Sequence, residues 1–225
     1  MCKKVLVIAA HPDDEVIGCG GTIANHVYVG DEVHVLFMTD GVSSRKNNTI
    51  KIEADFRKES AVNASQILGV KSVEILSFPD NSMDAIPRLD IVKKMEDVLD
   101  KIKPSVVYTH HQGDLNIDHS ITCQSVLTAC RPYPSQVVKE IYSFEIVSST
   151  EWASPLAGNT FTPNRFVDIS KTIDIKISAL RAYDQEMHDF PHSRSIENIE
   201  HLAKWRGASI GVLSAECFSI IRQCV

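Results

Sequence analysis

Histidine and carboxylate side chains follow an apolar run near the start of the sequence. His11 comes directly after residues 5–10, and Asp13, Asp14 and Glu15 follow it. Imidazole and carboxylate are ordinary ligands of first-row metal ions, most often zinc, and a catalytic zinc site keeps one position open for water. His11 and Asp14 are three residues apart, so a tight turn leading into a helix places both on one side. Asp13 lies on a different bearing, from which it could act as a general base.

The apolar run predicts where this cluster lies. Residues 5–10 are rich in Val, Ile and Ala and carry no charge, which is typical of a strand buried on both faces of a sheet. In open α/β sheets, ligands bind beyond the carboxyl ends of the strands. As an alternative, the acidic residues would only complement the dipole at a helix N-terminus. A histidine followed by Pro12 at a strand end favours the metal site.

The hexapeptide Ala10-His-Pro-Asp-Asp-Glu15 resembles the signature of the PIG-L/LmbE-like family of zinc-dependent N-acetylglucosaminyl deacetylases. The resemblance covers most of the chain. It continues in four segments, Gly113-Asp-Leu-Asn-Ile-Asp-His119, Phe144-Glu-Ile-Val-Ser-Ser-Thr-Glu-Trp152, Trp205-Arg-Gly-Ala-Ser-Ile-Gly211 and Ala215-Glu-Cys-Phe218. It implies hydrolysis of the N-acetyl group of a glucosamine-type sugar or glycoconjugate.

A second polar cluster, residues 110–119, follows another predicted strand at 105–109. Together with the resemblance, this position makes His119 the expected third metal ligand. With His11 and Asp14 it completes the pair of histidines and one carboxylate expected of a catalytic zinc site. We expect one zinc ion per chain, although other divalent first-row metals would suit the same ligands.

The chain departs from a common family pattern at Asn116. Many relatives have His-x-Asp-His where this chain has Asn116-Ile-Asp-His119. An amide can donate a hydrogen bond to an oxyanion but cannot supply a proton at neutral pH. Either Asp13 makes both proton transfers or another group supplies the acid. The candidates are three histidines, His110, His111 and His192, and the polar loop 191–194 favours the last.

The implied mechanism assigns roles to the remaining site residues. Zinc would polarise the amide carbonyl and lower the pKa of its water to roughly 7. Asp13 would accept the proton, and Asn116 with His192 would stabilise the oxyanion by roughly 3 kcal/mol per good donor. We expect substrate contacts from four side chains, Asp40, Arg45, His111 and Asp118. Asp118 could instead orient a neighbouring side chain, and Asp40 could belong to an ordinary turn.

Three alternative functions stay open at this point. Asn116 is compatible with a catalytically impaired sugar- or metal-binding member of the same fold. An amidase acting on another amino-sugar conjugate would use the same zinc chemistry. A nucleotide-dependent enzyme is disfavoured, because Gly18, Gly20 and Gly21 do not form the G-x-G-x-x-G pattern and no acidic residue follows at the expected interval. These glycines are better explained by close approach of helix and strand.

Composition predicts a single domain spanning residues 1–225. The chain has 44% hydrophobic and 23% charged residues, as in ordinary globular proteins. Its net charge of −6 argues against a broad surface for nucleic acid or anionic membranes. No apolar run approaches the ~18 residues of a membrane span. The first apolar run is too short for a signal peptide, so we expect a cytoplasmic protein.

The six cysteines are dispersed, without a C-x-x-C pair, and are predicted to be buried thiols rather than disulfides or metal ligands. Relatives in the family are often oligomeric, commonly hexameric. The resemblance therefore implies a homo-oligomer.

Strands and helices alternate along the sequence. The pattern predicts strands at 5–10, 32–38, 73–76, 105–109 and 141–147, and helices at 17–29, 50–68, 86–102, 121–130, 171–183 and 195–206. A flap-like loop is predicted at 153–164 and a short apolar element at 217–221. Together with the resemblance, this order predicts an α/β fold, a Rossmann-like three-layer sandwich with a mostly parallel sheet and helices on both faces.

Overall fold

The computed structural model describes residues 2–44, 50–155 and 160–224. Within these residues, seven strands form one sheet in the order β3-β2-β1-β4-β5-β7-β6. Strands β1 to β5 are parallel, and β7 runs antiparallel to both β5 and β6. The strands are β1 (Lys4–Ala9), β2 (Glu32–Thr39), β3 (Ser72–Phe78), β4 (Val106–His110), β5 (Glu140–Phe144), β6 (Arg165–Asp168) and β7 (Ala215–Gln223).

Helices cover both faces of the sheet. They are α1 (Asp14–Tyr28), α2 (Ile50–Leu68), α3 (Arg88–Ile102), α4 (Ile117–Ala129), α5 (Ile173–Leu180) and α6 (Ile196–Ala208). One hydrophobic core lies between the sheet and α1, α2, α5 and α6, and the other lies between the sheet and α3 and α4. The predicted three-layer α/β sandwich is confirmed.

Strand β1 lies in the interior of the sheet because its side chains are apolar on both faces. Val5 and Val7 belong to the first core, whereas Leu6 and Ile8 belong to the second. Such continuous apolar runs are typical of parallel strands covered by helices on both sides.

The order of strands reverses between β1 and β4. From β1 the chain moves outward to β2 on one side, and from β4 it moves to β5 on the other. The loops that follow β1 and β4 therefore leave the same edge of the sheet in opposite directions and create a crevice there. The two polar clusters lie in this crevice.

Glycines near the start of α1 allow the helix to approach the sheet. A Cβ atom added at Gly18 would lie 2.5 Å from the Phe144 ring, and one at Gly21 would lie 2.8 Å from Ile169. Close approach of helix and strand is confirmed for Gly18, whereas Gly21 approaches the residue that follows β6 and Gly20 approaches Lys176 of α5.

Several boundaries differ from the prediction. Helix α1 begins at Asp14 rather than at residue 17, since two acidic residues in its first turn complement the helix dipole. Helix α4 begins at Ile117 rather than at 121, because the Asn116 side chain caps it.

The last third of the chain differs more. The helix predicted at 171–183 is shorter, because α5 ends at Leu180 and a 3-10 helix, Arg181–Glu186, follows. Strand β6 was not predicted, since four residues are too few for a clear pattern. The apolar element at 217–221 is part of strand β7. No helix in the described ranges combines the length and apolar character that a membrane crossing requires.

Candidate metal centre

Three ligand atoms meet beyond the carboxyl ends of β1 and β4. Asp14 Oδ2 lies 3.2 Å from His11 Nδ1 and 3.3 Å from His119 Nε2. The two imidazole nitrogens are 3.3 Å apart. Ligand atoms about 2.0–2.2 Å from a tetrahedral zinc ion lie about 3.3–3.5 Å from one another. The three predicted ligands therefore converge with a spacing that suits a single ion.

Local structure fixes the positions of these ligands. The backbone N–H of His11 donates to Asp14 Oδ2 at 2.9 Å, which closes the turn between β1 and α1. His119 lies in the first turn of α4, which the Asn116 cap places directly after the loop from β4. All three ligand side chains are buried. The ligand set is therefore held by the ends of secondary-structure elements.

A carboxylate lies behind His119. Asp114 Oδ1 is 3.1 Å from His119 Nδ1, and Asp114 Oδ2 accepts a hydrogen bond from Thr150 Oγ1 at 2.6 Å. The Ser149 hydroxyl also donates to Asp114 Oδ1. Burial raises the pKa of Asp114, but His119 and the two hydroxyls outweigh it and bring the pKa to about 2. Histidines that bind metals usually donate their other N–H to such a carboxylate.

Two carboxylates lie behind His11. Its Nε2 is 3.2 Å from both Asp80 Oδ1 and Asp118 Oδ2, and these residues form a second group with spacing compatible with a metal. Asp118, however, already accepts backbone hydrogen bonds from Asn81 at 2.7 Å and Met83 at 3.1 Å. The group with Asp14 and His119 is the better candidate. If His11 donates its Nε2–H to these two carboxylates, its Nδ1 is left as the nitrogen that can bind a metal ion.

Asp13 lies next to the candidate ligands in a conformation that is rare for residues other than glycine. Its φ is +117° and its side chain is fully buried. Asp13 Oδ2 lies 3.0 Å from Arg194 NH1 and 3.2 Å from Arg57 NH2. Asp13 Oδ1 is buried without a hydrogen-bond partner among the described residues. Burial, with the nearby carboxylates of Asp14 and Glu186, raises the pKa of Asp13 although the two guanidinium groups lower it.

Glu15 supports the backbone of Asp13. Glu15 Oε2 accepts from the Asp13 N–H at 3.0 Å, and Tyr183 donates to Glu15 Oε1 at 2.7 Å. Burial raises the pKa of Glu15 to about 8. Glu15 thus holds the backbone of Asp13 in its unusual conformation, while the two arginines hold its side chain.

The two predicted oxyanion donors have other contacts. Asn116 Oδ1 accepts from the Asp118 N–H at 2.9 Å, and its Nδ2 donates to Asn81 Oδ1 at 3.1 Å. His192 Nδ1 accepts from the Arg194 N–H at 3.0 Å. The catalytic roles of Asn116 and His192 stay predictions.

Three of the four predicted substrate contacts lie within the described residues. Asp40 Oδ1 accepts from the backbone N–H groups of residues 42 and 43, each at 3.0 Å, as in an ordinary turn. The His111 ring lies 5.4 Å from the Phe161 ring. Asp118 is fully buried behind His11. Arg45 lies outside the described residues, and all four contacts stay predictions.

His110, one of the three candidate acids, is fully buried. Its Nε2 accepts from the Ala10 N–H at 2.8 Å, and its ring stacks on His119 at 3.9 Å. Burial lowers the pKa of His110 well below its usual range. Its contacts suit a neutral ring that supports the ligand loops.

Four residues around the site had no role in the sequence analysis, namely the buried Arg57, Asp80 and Asp114 and the partly buried Arg194. Asp114 and Arg194 lie within segments already marked as polar loops, so their position was a usable signal. Arg57 is part of α2, and nothing in its spacing connects it with Asp13.

The fold and the buried group of two histidines and one aspartate define an α/β protein with a candidate metal centre at the switch point of its sheet. The chain belongs to the PIG-L family, since the family model described as GlcNAc-PI de-N-acetylase matches residues 6–130. The family expected from the sequence motifs is confirmed.

Similar proteins include enzymes of two kinds. The uncharacterized deacetylase YaiS of Escherichia coli is 30% identical over 80% of this chain and 90% of its own length. The structure of N,N'-diacetylchitobiose deacetylase from Pyrococcus horikoshii has a TM-score of 0.80 and 25% identity, covering 98% of this chain and 84% of that one. The 4-oxalmesaconate hydratase of Pseudomonas putida is 28% identical over 83% of this chain and 75% of its own length.

Proposed function

We propose that this protein is a zinc-dependent hydrolase that removes the N-acetyl group from an N-acetylglucosamine-type sugar or glycoconjugate. The expected class of enzyme, a metal-dependent N-deacetylase, agrees with the family and with the deacetylases among its relatives. The observation that carries the proposal is the convergence of three ligand atoms beside Asp13 Oδ1, a buried carboxylate oxygen with no partner among the described residues.

His11, Asp14 and His119 would hold the ion, one per chain. Their donor set of two nitrogens and one oxygen, with separations of 3.2 to 3.3 Å, suits zinc and admits other divalent first-row metals. When bound, the metal supplies a Lewis acid that polarises a carbonyl and makes water more acidic.

Asp13 is the proposed general base. Its Oδ1 is free to accept a proton from the attacking water, and the same oxygen can return that proton to the departing amine. Because Asp13 Oδ2 is held by two guanidinium groups, the carboxylate keeps one oxygen for the reaction. This arrangement provides both transfers without an acid at the Asn116 position.

His192 and Asn116 are the proposed hydrogen-bond donors to the oxyanion. The Nδ1 of His192 accepts a hydrogen bond, so a neutral ring carries its proton on Nε2 and can donate from there. Asn116 would contribute the second hydrogen of its amide, because the first is donated to Asn81. Both roles need these side chains to reach the substrate carbonyl.

Asp40, Arg45 and His111 are the proposed substrate contacts. For Asp118 we propose the alternative role of orienting His11, because its carboxylate is fully buried and 3.2 Å from the imidazole. A carboxylate behind a ligand fixes the ring orientation and increases its basicity.

We also propose a homo-oligomer, with the hexamer common in the family as the expected form, and apolar side chains on the outside of the molecule support it. Helix α2 exposes Ile52 by 58% and Phe56 by 50%. The adjacent β3 is an edge strand of the sheet. Apolar side chains beside an open edge suit a contact between copies. Light scattering combined with size-exclusion chromatography measures the number of subunits.

We also propose that residues 1–225 act as one domain and that the protein works in the cytoplasm. One sheet includes strands from both ends of the sequence, since β1 and β7 belong to it. Fractionation of cells that express the protein tests its location.

Release of acetate and free amine from a panel of N-acetylated sugars, sugar nucleotides and glycosides tests the activity. We expect turnover by the zinc-loaded protein that disappears on chelation. Zinc binding without release from any substrate would indicate an impaired binding protein. Because one relative is a 4-oxalmesaconate hydratase, loss of absorbance from that unsaturated tricarboxylate is measured in parallel. Hydration without deacetylation would overturn the proposal.

A further inference from the structure

Arg194 and Asp13 meet although they are 181 positions apart in the sequence. Arg194 lies in the loop before α6, and its NH1 donates to Asp13 Oδ2 at 3.0 Å. Its Nε donates to Ser148 Oγ at 2.6 Å. One planar guanidinium group therefore connects three separate loops beyond the carboxyl edge of the sheet.

Arg57 contacts the same carboxylate oxygen but has other partners as well. Its Nε and NH2 donate to the Pro12 carbonyl at 3.0 and 2.7 Å, and its NH1 pairs with Glu186. Arg57 thus holds mainly the backbone before Asp13. Within the described part of the chain, the Arg194 side chain makes no hydrogen bond to that backbone, so it acts on the side chain of Asp13 directly.

The side chain of Asp13 needs such a contact. Its φ of +117° is unfavourable for aspartate, and strained residues persist when surrounding groups determine their conformation from several sides. With Oδ2 bound to Arg194 and Arg57, rotation of the carboxylate would break the charged hydrogen bond from Arg194 and the ion pair with Arg57. Oδ1 is consequently the oxygen that stays available.

Ser148 links this contact to the metal ligands. It has a φ of +68° in the loop after β5, and the next two residues, Ser149 and Thr150, contact Asp114. Asp114 in turn lies 3.1 Å from the ligand His119. The loop after β5 therefore contacts both Arg194, which holds Asp13, and Asp114, which orients His119.

We propose that Arg194 is a positioning residue, which keeps Asp13 Oδ2 occupied so that Oδ1 faces the reacting water. Through Ser148, it also fixes the base relative to the loop that orients His119. The proposal rests on the proposed function in one respect, the role of Asp13 as general base. An ion pair that only stabilises the late loop would predict a loss of stability without a specific loss of turnover.

Arg194→Met and Arg194→Lys distinguish these roles. We expect Arg194→Met to retain zinc and a KM within about threefold of the wild type, while kcat falls about 10- to 100-fold, since small misplacements of a reacting group have effects of this size. Arg194→Lys should be intermediate, because an ammonium group lacks the planar fork that bonds to both Asp13 and Ser148. Added guanidinium should restore part of the turnover of Arg194→Met.

Arg206→Met is the matched control. Arg206 forms a partly buried, two-bond pair with Glu145 at 2.9 and 2.7 Å, and neither residue contacts the metal ligands in the described hydrogen bonds. It should lower the thermal midpoint with kcat within about twofold of the wild type. A folded Arg194→Met protein with kcat within about twofold of the wild type would overturn the proposal, as would equal losses of kcat in both variants.

A readout without catalysis separates this inference from the proposed function. The thermal midpoints of metal-free wild type, Asp13→Asn, Arg194→Met and the double variant form a cycle. We expect Arg194→Met to lower the midpoint less in the Asp13→Asn background, because its charged partner is already gone. If the shifts in thermal midpoint of the two single variants simply add in the double variant, the two side chains do not interact and the proposal is overturned. Inactivity of the wild type toward every N-acetylated sugar, with a non-additive cycle, would contradict only the deacetylase function.

Discussion

Asp114 Oδ1 lies 3.1 Å from His119 Nδ1, while the other nitrogen of the same ring faces His11 and Asp14. The carboxylate therefore fixes both the orientation of the ring and the nitrogen that is left for a metal ion. Thr150 and Ser149 hold Asp114 in turn, so the ligand is supported from a loop that follows a different strand.

This relationship predicts a metal-binding defect in Asp114→Ala. We expect zinc affinity to fall about 10- to 100-fold, because the carboxylate no longer orients His119 or increases its basicity. Competition with a chromophoric chelator measures the affinity. Thr150→Val is the control, since it removes one hydroxyl and leaves the carboxylate next to His119, and His119→Ala should fail to retain stoichiometric zinc. An unchanged affinity of Asp114→Ala would show that the histidine needs no such support.

A different separation of binding and catalysis is expected for Asp13→Asn. Because Asp13 is not one of the three converging ligands, the variant should keep its zinc. Turnover should fall about 10²- to 10⁴-fold, since an amide cannot accept the proton. Metal analysis and steady-state assays on one preparation give both values. Wild-type turnover with full zinc occupancy would remove Asp13 from the role of base.

The sequence predicts the group of His11, Asp14 and His119 that converges in the structure, because the relevant information is local. Residues 5–10 are apolar without interruption, so they predict a buried strand, and the proposed ligands His11 and Asp14 directly follow it. His119 lies in a similar position after β4. Adjacent carboxyl ends of parallel strands then bring the two segments together.

The supports of the site depend on contacts between distant segments, and these were not predicted. Asp80 reaches His11 from the loop after β3, and Arg194 reaches Asp13 from the loop before α6. No spacing within one segment encodes such pairs. Asn116 lies between these two cases. An asparagine before a helix is a local signal for capping, but the family resemblance led us to predict a catalytic role for it instead.

His192→Ala should reduce turnover without loss of zinc. If Nε2 donates to the developing oxyanion, its removal should lower kcat about 10²-fold, as expected for loss of one donor. His188→Ala is the matched control, because the two rings lie 4.2 Å apart in the same loop region and no role is assigned to His188. Steady-state kinetics with zinc analysis compare the two. Equal kinetics in both variants would make His192 a structural residue.

The buried ion pair of Lys176 and Glu216 should contribute to the stability of the fold rather than to catalysis. Lys176 Nζ lies 2.6 Å from Glu216 Oε1 and donates to the Ile17 carbonyl at 2.8 Å. Glu216 also accepts from the N–H groups of Gly21 and Thr22, at 3.0 and 2.7 Å. These backbone groups flank an irregular turn of α1, whose backbone is non-helical at residue 19. The pair therefore satisfies backbone groups that a regular helix would satisfy itself.

Glu216→Gln should lower the free energy of unfolding by about 3–5 kcal/mol, because the Lys176 charge stays buried after its partner is neutralised. Glu200→Gln is the control, since Glu200 and Lys204 form an exposed pair on α6 whose loss should cost less than about 1 kcal/mol. Urea unfolding followed by circular dichroism measures both losses. Adding Lys176→Met to Glu216→Gln should restore part of the stability, because it removes the unpaired charge. Equal losses for the buried and the exposed pair would contradict this account of α1.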